Sequence, residues 1–170
     1  MIYAGIGSRE TPEPFCKIMR KIGRTFGSRG MILRSGNARG ADESFIRGAM
    51  EVGGKMEVYL PCVGFGTIKP AQDDDRFVNI IPKGAFNIAE NFHPRWNSLS
   101  DFAKRLMARN VLQVLGQDLN SPVDFVVCYT HDGLASGGTG QALRIAESYN
   151  IPIFNLNIQK DFQDLKPYIR

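Results

Sequence analysis

Met31-Ile32-Leu33-Arg34-Ser35-Gly36-Asn37-Ala38-Arg39-Gly40-Ala41-Asp42 is the stretch whose reading decides the fold. A short apolar run enters it, and a helical pattern leaves it with Ala41, Phe45, Ala49 and Val52 on one face. Strand, glycine turn, helix is the reading, because Gly36 and Gly40 let the backbone bend tightly and approach a ligand closely. The N–H groups opening the helix then face whatever lies at the strand's carboxyl end, which is a place for an anion. Arg34 and Arg39 add positive charge beside it, and Asp42 in the first helical turn suits either the helix dipole or a sugar hydroxyl. The expected ligand is phosphorylated.

The same pattern recurs on both sides of this stretch. Ile2 to Arg9 reads as a buried strand running into a Gly5-Ile6-Gly7 turn, and Thr11 caps a helix with Pro12 in its first position and Phe15, Ile18, Met19, Ile22 and Phe26 inward. A third strand, Met56 to Leu60, stops at Pro61. From Cys62 to Asn97 the periodicity fails; so long an irregular connection reads as a lid or binding loop holding short elements of its own. Ser98 with Asp101 makes a capping box for a helix to Leu115, whose apolar residues cover more than one face. Phe125 to Thr130 is apolar throughout, as a parallel strand covered on both faces requires. Ser136-Gly137-Gly138-Thr139-Gly140 then opens a helix with Ala142, Leu143, Ala146 and Tyr149 inward, Asn150 closes it, and Pro152 to Leu156 is the fifth strand. Asp161 to Arg170 reads as a short closing helix. Alternating strands and helices give a single-domain, doubly wound, mostly parallel α/β sheet over residues 1–170.

Composition fits one soluble domain. Hydrophobic residues are 43% and charged residues 22% of 170. No run reaches the roughly 18 apolar residues of a membrane span, and Met1 leads directly into a core strand rather than a secretory pattern, so a cytoplasmic protein is expected. Cys16, Cys62 and Cys128 are odd in number and far apart, and give no disulfide framework or metal site. A net charge of +4 permits an anionic ligand or nucleic acid and proves neither.

Each glycine turn has two readings. Gly5-Ile6-Gly7 falls short of the dinucleotide fingerprint, since Glu10 stands where a third glycine belongs, and is equally well a tight turn. Ser136 to Gly140 exposes several N–H groups at a helix start, with the Thr139 hydroxyl beside them, and reads as a phosphate cradle. Neither is a Walker A loop. Arg109-Asn110 on the apolar helix must reach a partner, either a structural ion pair or a ligand. His131-Asp132 is an acid/base pair or a turn cap; His93, Arg95 and Trp96 stack on a base or pack locally; Asp73 to Asp75 forms a solvated loop rather than a cation site.

Tyr3-Ala4-Gly5-Ile6-Gly7-Ser8-Arg9, Ser35-Gly36-Asn37-Ala38-Arg39-Gly40-Ala41-Asp42 and Ser136-Gly137-Gly138-Thr139 together resemble the SLOG superfamily of Rossmann-like domains. The DNA-processing protein A branch, with its stand-alone phage and bacterial relatives, is the nearest. That resemblance implies a nucleotide or nucleotide-derivative pocket over the glycine turns, made by Gly7, Ser8, Arg9, Ser35, Gly36, Arg39, Asp42, Gly137, Gly138 and Thr139, and the residue reading adds Asn37, Arg109 and Asn110 as ligand-binding candidates. It also implies single-stranded DNA binding with recombinase loading, for which Lys17, Arg20, Lys21 and Arg24 on the first helix supply charge, and a homodimer through helices flanking the sheet. The apolar circumference of the Ser98–Leu115 helix needs a second cover, which either the 62–97 lid or such a partner subunit supplies. The Lonely Guy phosphoribohydrolases are more distantly similar. Met107-Ala108-Arg109-Asn110 matches their Arg motif in part, but Arg144 stands where their catalytic Glu belongs, and Glu147 is three residues further on. A permanently protonated Arg cannot do a carboxylate's work in breaking a glycosidic bond. Binding is therefore expected over hydrolysis, with Arg109, Asp132 and Glu147 as the remaining catalytic candidates and no cofactor or metal.

Overall fold

The computed structural model describes residues 1–169, so only Arg170 of the expected closing helix lies outside it. Six strands, β1 (Ile2–Gly7), β2 (Ile32–Ser35), β3 (Met56–Tyr59), β4 (Phe77–Val78), β5 (Phe125–Tyr129) and β6 (Ile153–Asn155), form one sheet in the order β4-β3-β2-β1-β5-β6. Every pairing is parallel. The helices are α1 (Glu13–Ser28), α2 (Ala41–Met50), α3 (Lys83–Asn91), α4 (Asp101–Leu115), α5 (Gly137–Ser148) and α6 (Gln159–Leu165).

Strand alternation sorts the core into two layers. Tyr3, Leu33, Val127 and Tyr129 pack with Met19, Ile22 and Phe26 of α1, Phe45 and Ile46 of α2 and Leu165 of α6. Ala4, Ile6, Val126 and Cys128 face the other way, toward Ala85 and Ala89 of α3, Val111, Leu112 and Leu115 of α4, and Ala142 and Ile145 of α5. The chain leaves β1 toward β2 and later returns to its other side as β5. The carboxyl ends of β1 and β5 therefore form the crevice where an open α/β sheet binds its ligand.

Several boundaries move. Pro12 flanks α1 instead of entering it, and the Thr11 hydroxyl donates to Ser8 O at 2.7 Å. Ser100, not Ser98, caps α4 by accepting from Ala103 N at 3.2 Å, because Ser98 closes a 3-10 turn (Trp96–Ser98) and Leu99 is extended. Tyr149 sits past the end of α5 and is exposed. The irregular segment holds β4 and α3, and α3 covers the second apolar side of α4. The apolar residues in the second half of that helix are thus covered within the chain, while Phe102 in its first turn stays exposed. No helix among the described residues is long and apolar enough to cross a membrane.

α1 and α2 touch backbone to backbone through two glycines. A Cβ on Gly48 would stand 2.0 Å from Arg20 O, and one on Gly23 would stand 2.3 Å from Phe45 O. Gly48→Ala is expected to cost about 2–3 kcal/mol through forced separation of the helices. Exposed Lys21→Ala should stay within about 0.5 kcal/mol, both read from urea midpoints.

Candidate functional site

A cavity of about 410 Å³ opens at the carboxyl ends of β1 and β5, a volume suited to a small organic ligand. Of the candidate ligand-binding residues, Gly7, Ser8, Arg9, Asp42, Arg109, Asn110, Gly137, Gly138 and Thr139 line it. Ser35, Gly36, Asn37 and Arg39 do not. The Ser35 hydroxyl donates to Gly5 O at 2.7 Å inside the sheet, and Asn37 uses its amide on the segment that follows β3. Arg39 is exposed on an outer groove with Arg9, Lys17, Arg20 and Arg47. Arg34 also turns away: its buried guanidinium pairs with Glu57 at 2.6 Å and donates to Ser121 O.

The turn between β2 and α2 is closed by the protein itself. Gly40 has a positive φ of 85° and brings Ala41 N to Ser8 O at 3.3 Å, where any side chain would strike that carbonyl. Asp42 takes the place an anion would have. Its carboxylate accepts from Ala38 N at 3.3 Å, from Gly7 N–H and from Arg109 Nη1 at 3.4 Å, with the ion pair almost fully buried. Burial pushes the carboxyl up from its usual range, against the pull of the Arg109 charge and the two N–H groups. Burial likewise lowers the Arg109 guanidinium, and Asp42 opposes it. The anion site expected at α2 is therefore filled by an internal carboxylate.

Arg109 is the centre of a polar ladder across α4. Gln113, oriented by its partners, accepts from Arg109 Nη1 and from Gly36 N, both at 3.0 Å, and donates to Asn110 Oδ1 at 3.1 Å. Asn110 donates to Gly138 O at 3.0 Å and Gln141 Oε1 at 3.4 Å, and Gln141 donates to Ala89 O at 3.2 Å. Arg109 Nε has no partner, although the residue is only 5% exposed and its guanidinium carbon lies 5.7 Å over the Phe65 ring. Gln113 was missed from sequence, yet it stands one helical turn after Arg109, where a partner is to be sought. Glu10, Phe65, Phe102, Leu106, Met107 and His131 also line the cavity.

α5 offers the open helix start. No side chain caps it, and its first internal bond runs from Gly140 N to Ser136 O at 2.8 Å, leaving the N–H groups of Gly137, Gly138 and Thr139 ahead of it. Gly140 is required here, since a Cβ would meet Ala135 O at 2.2 Å.

The catalytic candidates other than Arg109 lie elsewhere. Asp132 accepts from Leu134 N at 3.0 Å and the Ser136 hydroxyl at 2.9 Å, bonds that hold its carboxyl below the usual range, and it is a turn cap outside the cavity lining. Glu147 is exposed near the far end of α5. Arg144 donates to Phe92 O and Ala135 O and is structural. His93 Nδ1 accepts from Arg95 N, and Trp96 packs locally under the Lys104 ammonium. Asp74 grips Arg76, and no group of three metal-ligating side chains occurs among the described residues.

Comparison with known proteins follows this geometry. The family model of DNA recombination-mediator protein A matches residues 1–115. The DNA processing protein A of Helicobacter pylori, solved for its single-stranded DNA binding mode, has a similar fold with a TM-score of 0.56 at 20% identity, over 98% of this chain and 72% of that one. The molybdenum cofactor carrier protein of Chlamydomonas reinhardtii is similar at a TM-score of 0.54 and 19% identity, over 91% of this chain and 73% of that one. No curated protein matches the chain.

Proposed function

The chain belongs to the DNA recombination-mediator protein A family, and we propose from that premise that it holds a phosphorylated, nucleotide-type small molecule in the cavity over β1 and β5. One observation carries the reading: the uncapped start of α5 and a buried arginine with an unpartnered Nε line the same cavity. A phosphate meets the N–H groups of Gly137, Gly138 and Thr139 together, and Arg109 gives its free donor to a second acceptor on the same molecule. Retention without turnover suits a protein that carries or sequesters a signalling nucleotide.

Calorimetry against nucleoside monophosphates, ADP-ribose derivatives and cyclic dinucleotides tests this, and flat titrations across the panel would refute it. Arg109→Met should cost the bound ligand about 1.5–3 kcal/mol. Arg39→Ala should leave affinity unchanged, because that side chain lies on the outer groove. Free base released from a nucleoside monophosphate, and lost with Arg109→Met, would show turnover instead of binding.

A second reading rests on the outer groove, where Arg9, Lys17, Arg20, Arg39 and Arg47 face Glu10, Glu13 and Glu43. Single-stranded DNA would follow such a track. Arg47 is paired to Glu43, and Arg20 and Arg24 to Glu51, so fewer charges are free for phosphates than the sequence offers. Mobility shifts at two salt concentrations separate the readings, since binding through several phosphates weakens steeply with salt.

A further inference from the structure

We propose that Phe65 and Phe102 form a stacking subsite, so that the preferred occupant is a phosphomonoester carrying a flat, fused heteroaromatic ring instead of a plain sugar phosphate. The inference rests on the reading of the cavity given above. Phe102 lines the cavity from the first turn of α4 and is 47% exposed, a large aromatic left uncovered at a ligand site. Phe65 stands 6.3 Å from it with the rings inclined at 49°, and has the Arg109 guanidinium over its own ring.

The segment bearing Phe65 is built to hold that ring in place. Asn37, fully buried and at a φ of 60°, donates its amide to Phe65 O and Ile68 O, both at 2.9 Å, and accepts from Ile68 N at 3.2 Å. The Lys69 ammonium ties Gly64 O at 2.8 Å and Gly66 O at 2.9 Å, and a side chain on Gly66 would collide with Asn37 O. A left-handed asparagine and a crowded glycine carry a backbone cost that simple chain connection does not require. What they secure is an aromatic ring already oriented before the ligand arrives, which removes the ordering cost from binding.

The phosphate end is close at hand. Met107, beside Leu106 on the apolar wall of α4, comes within 3.8 Å of the Cβ position of Gly138. Phe65, Phe102 and the Gly137–Thr139 start of α5 line the same cavity, so one molecule can put its ring on the first two and its phosphate on the third.

Calorimetry with GMP, a pterin phosphomonoester, ribose 5-phosphate and guanosine tests the subsite on the wild type, Phe102→Ala and Phe102→Tyr. One or both ring-bearing phosphates should bind about tenfold or more tighter than ribose 5-phosphate, and the tighter of the two identifies the source of the ring. Phe102→Ala should erase most of that margin while leaving ribose 5-phosphate unchanged, and Phe102→Tyr should restore it. Equal binding of ring-bearing and ring-free phosphates would overturn the stacking subsite and leave the phosphate site standing, as would equal weakening of both by Phe102→Ala. Guanosine binding as tightly as GMP would support the ring subsite and overturn the phosphate site. Flat titrations throughout would overturn both.

Discussion

Asp42→Ala is expected to cost about 3–5 kcal/mol of folding stability and to create a protein whose stability responds to formate. The carboxylate is the internal anion of the β1 and β2 turns, where it accepts from Gly7 N–H, Ala38 N and the Arg109 guanidinium. Its removal strands a buried positive charge, and two backbone N–H groups lose their acceptor. A small carboxylate fits the hole and meets the same donors. Urea midpoints in formate and in chloride of equal ionic strength measure the effect: formate should recover part of the loss in Asp42→Ala and none in the wild type. Asp42→Asn keeps the volume without the charge and should remain destabilised whichever salt is present. An unchanged midpoint in Asp42→Ala would mean that Arg109 finds another partner, and would remove the internal anion from the account.

Asp42 marks the limit of what local pattern conveys. The three glycine turns at one sheet edge were legible because each is announced by neighbours in sequence: an apolar run, glycine, then helical periodicity. The exposed N–H groups at the Ser136–Gly140 turn were legible too, but the closure of the β2–α2 turn was not. That depends on Ala41 N meeting Ser8 O and on Arg109, on a distant helix, meeting Asp42. The sequence makes the β2–α2 turn look the richer anion site, with Arg34 and Arg39 beside it, yet one arginine crosses to Glu57 and the other faces outward. Strand alternation already separates Arg34 from Leu33, whose side chain joins the α1–α2 layer. Only the fold shows that Glu57 waits on the other side.

The long segment between β3 and α4 was legible only in outline, as a connection with short elements of its own. Its missing periodicity suggested a lid, and part of it does reach the cavity as Phe65. Much of it is scaffold: α3 packs on α4, so of the two covers the sequence allowed for that helix, this segment or a partner subunit, this segment supplies one. At nine residues α3 is too short for its helical period to stand out from the irregular chain on either side. Asn37 was legible as a pocket residue only through its place in a glycine turn. Its actual work is to position Phe65, through bonds between segments that sequence reading treats as independent.

Gly36→Ala is expected to unseat Arg109, with a loss of stability close to that of breaking the buried ion pair, about 3–5 kcal/mol, and loss of ligand binding with it. Gly36 is not among the glycines with positive φ, so alanine meets no backbone strain there. The obstacle is steric: a Cβ would stand 1.3 Å from Arg109 Nη1 and 2.5 Å from the Gln113 side-chain amide. Because Nη1 is the atom that reaches Asp42, displacing it breaks the pair and the bond to Gln113 in one movement. A double-mutant cycle with Arg109→Met isolates this cause. If the glycine exists to make room for the guanidinium, Gly36→Ala should cost little once Arg109 is gone, and the coupling should account for most of the single-variant loss. Additive urea midpoints across the four proteins would show that Gly36 serves the turn itself and would separate it from the ligand site.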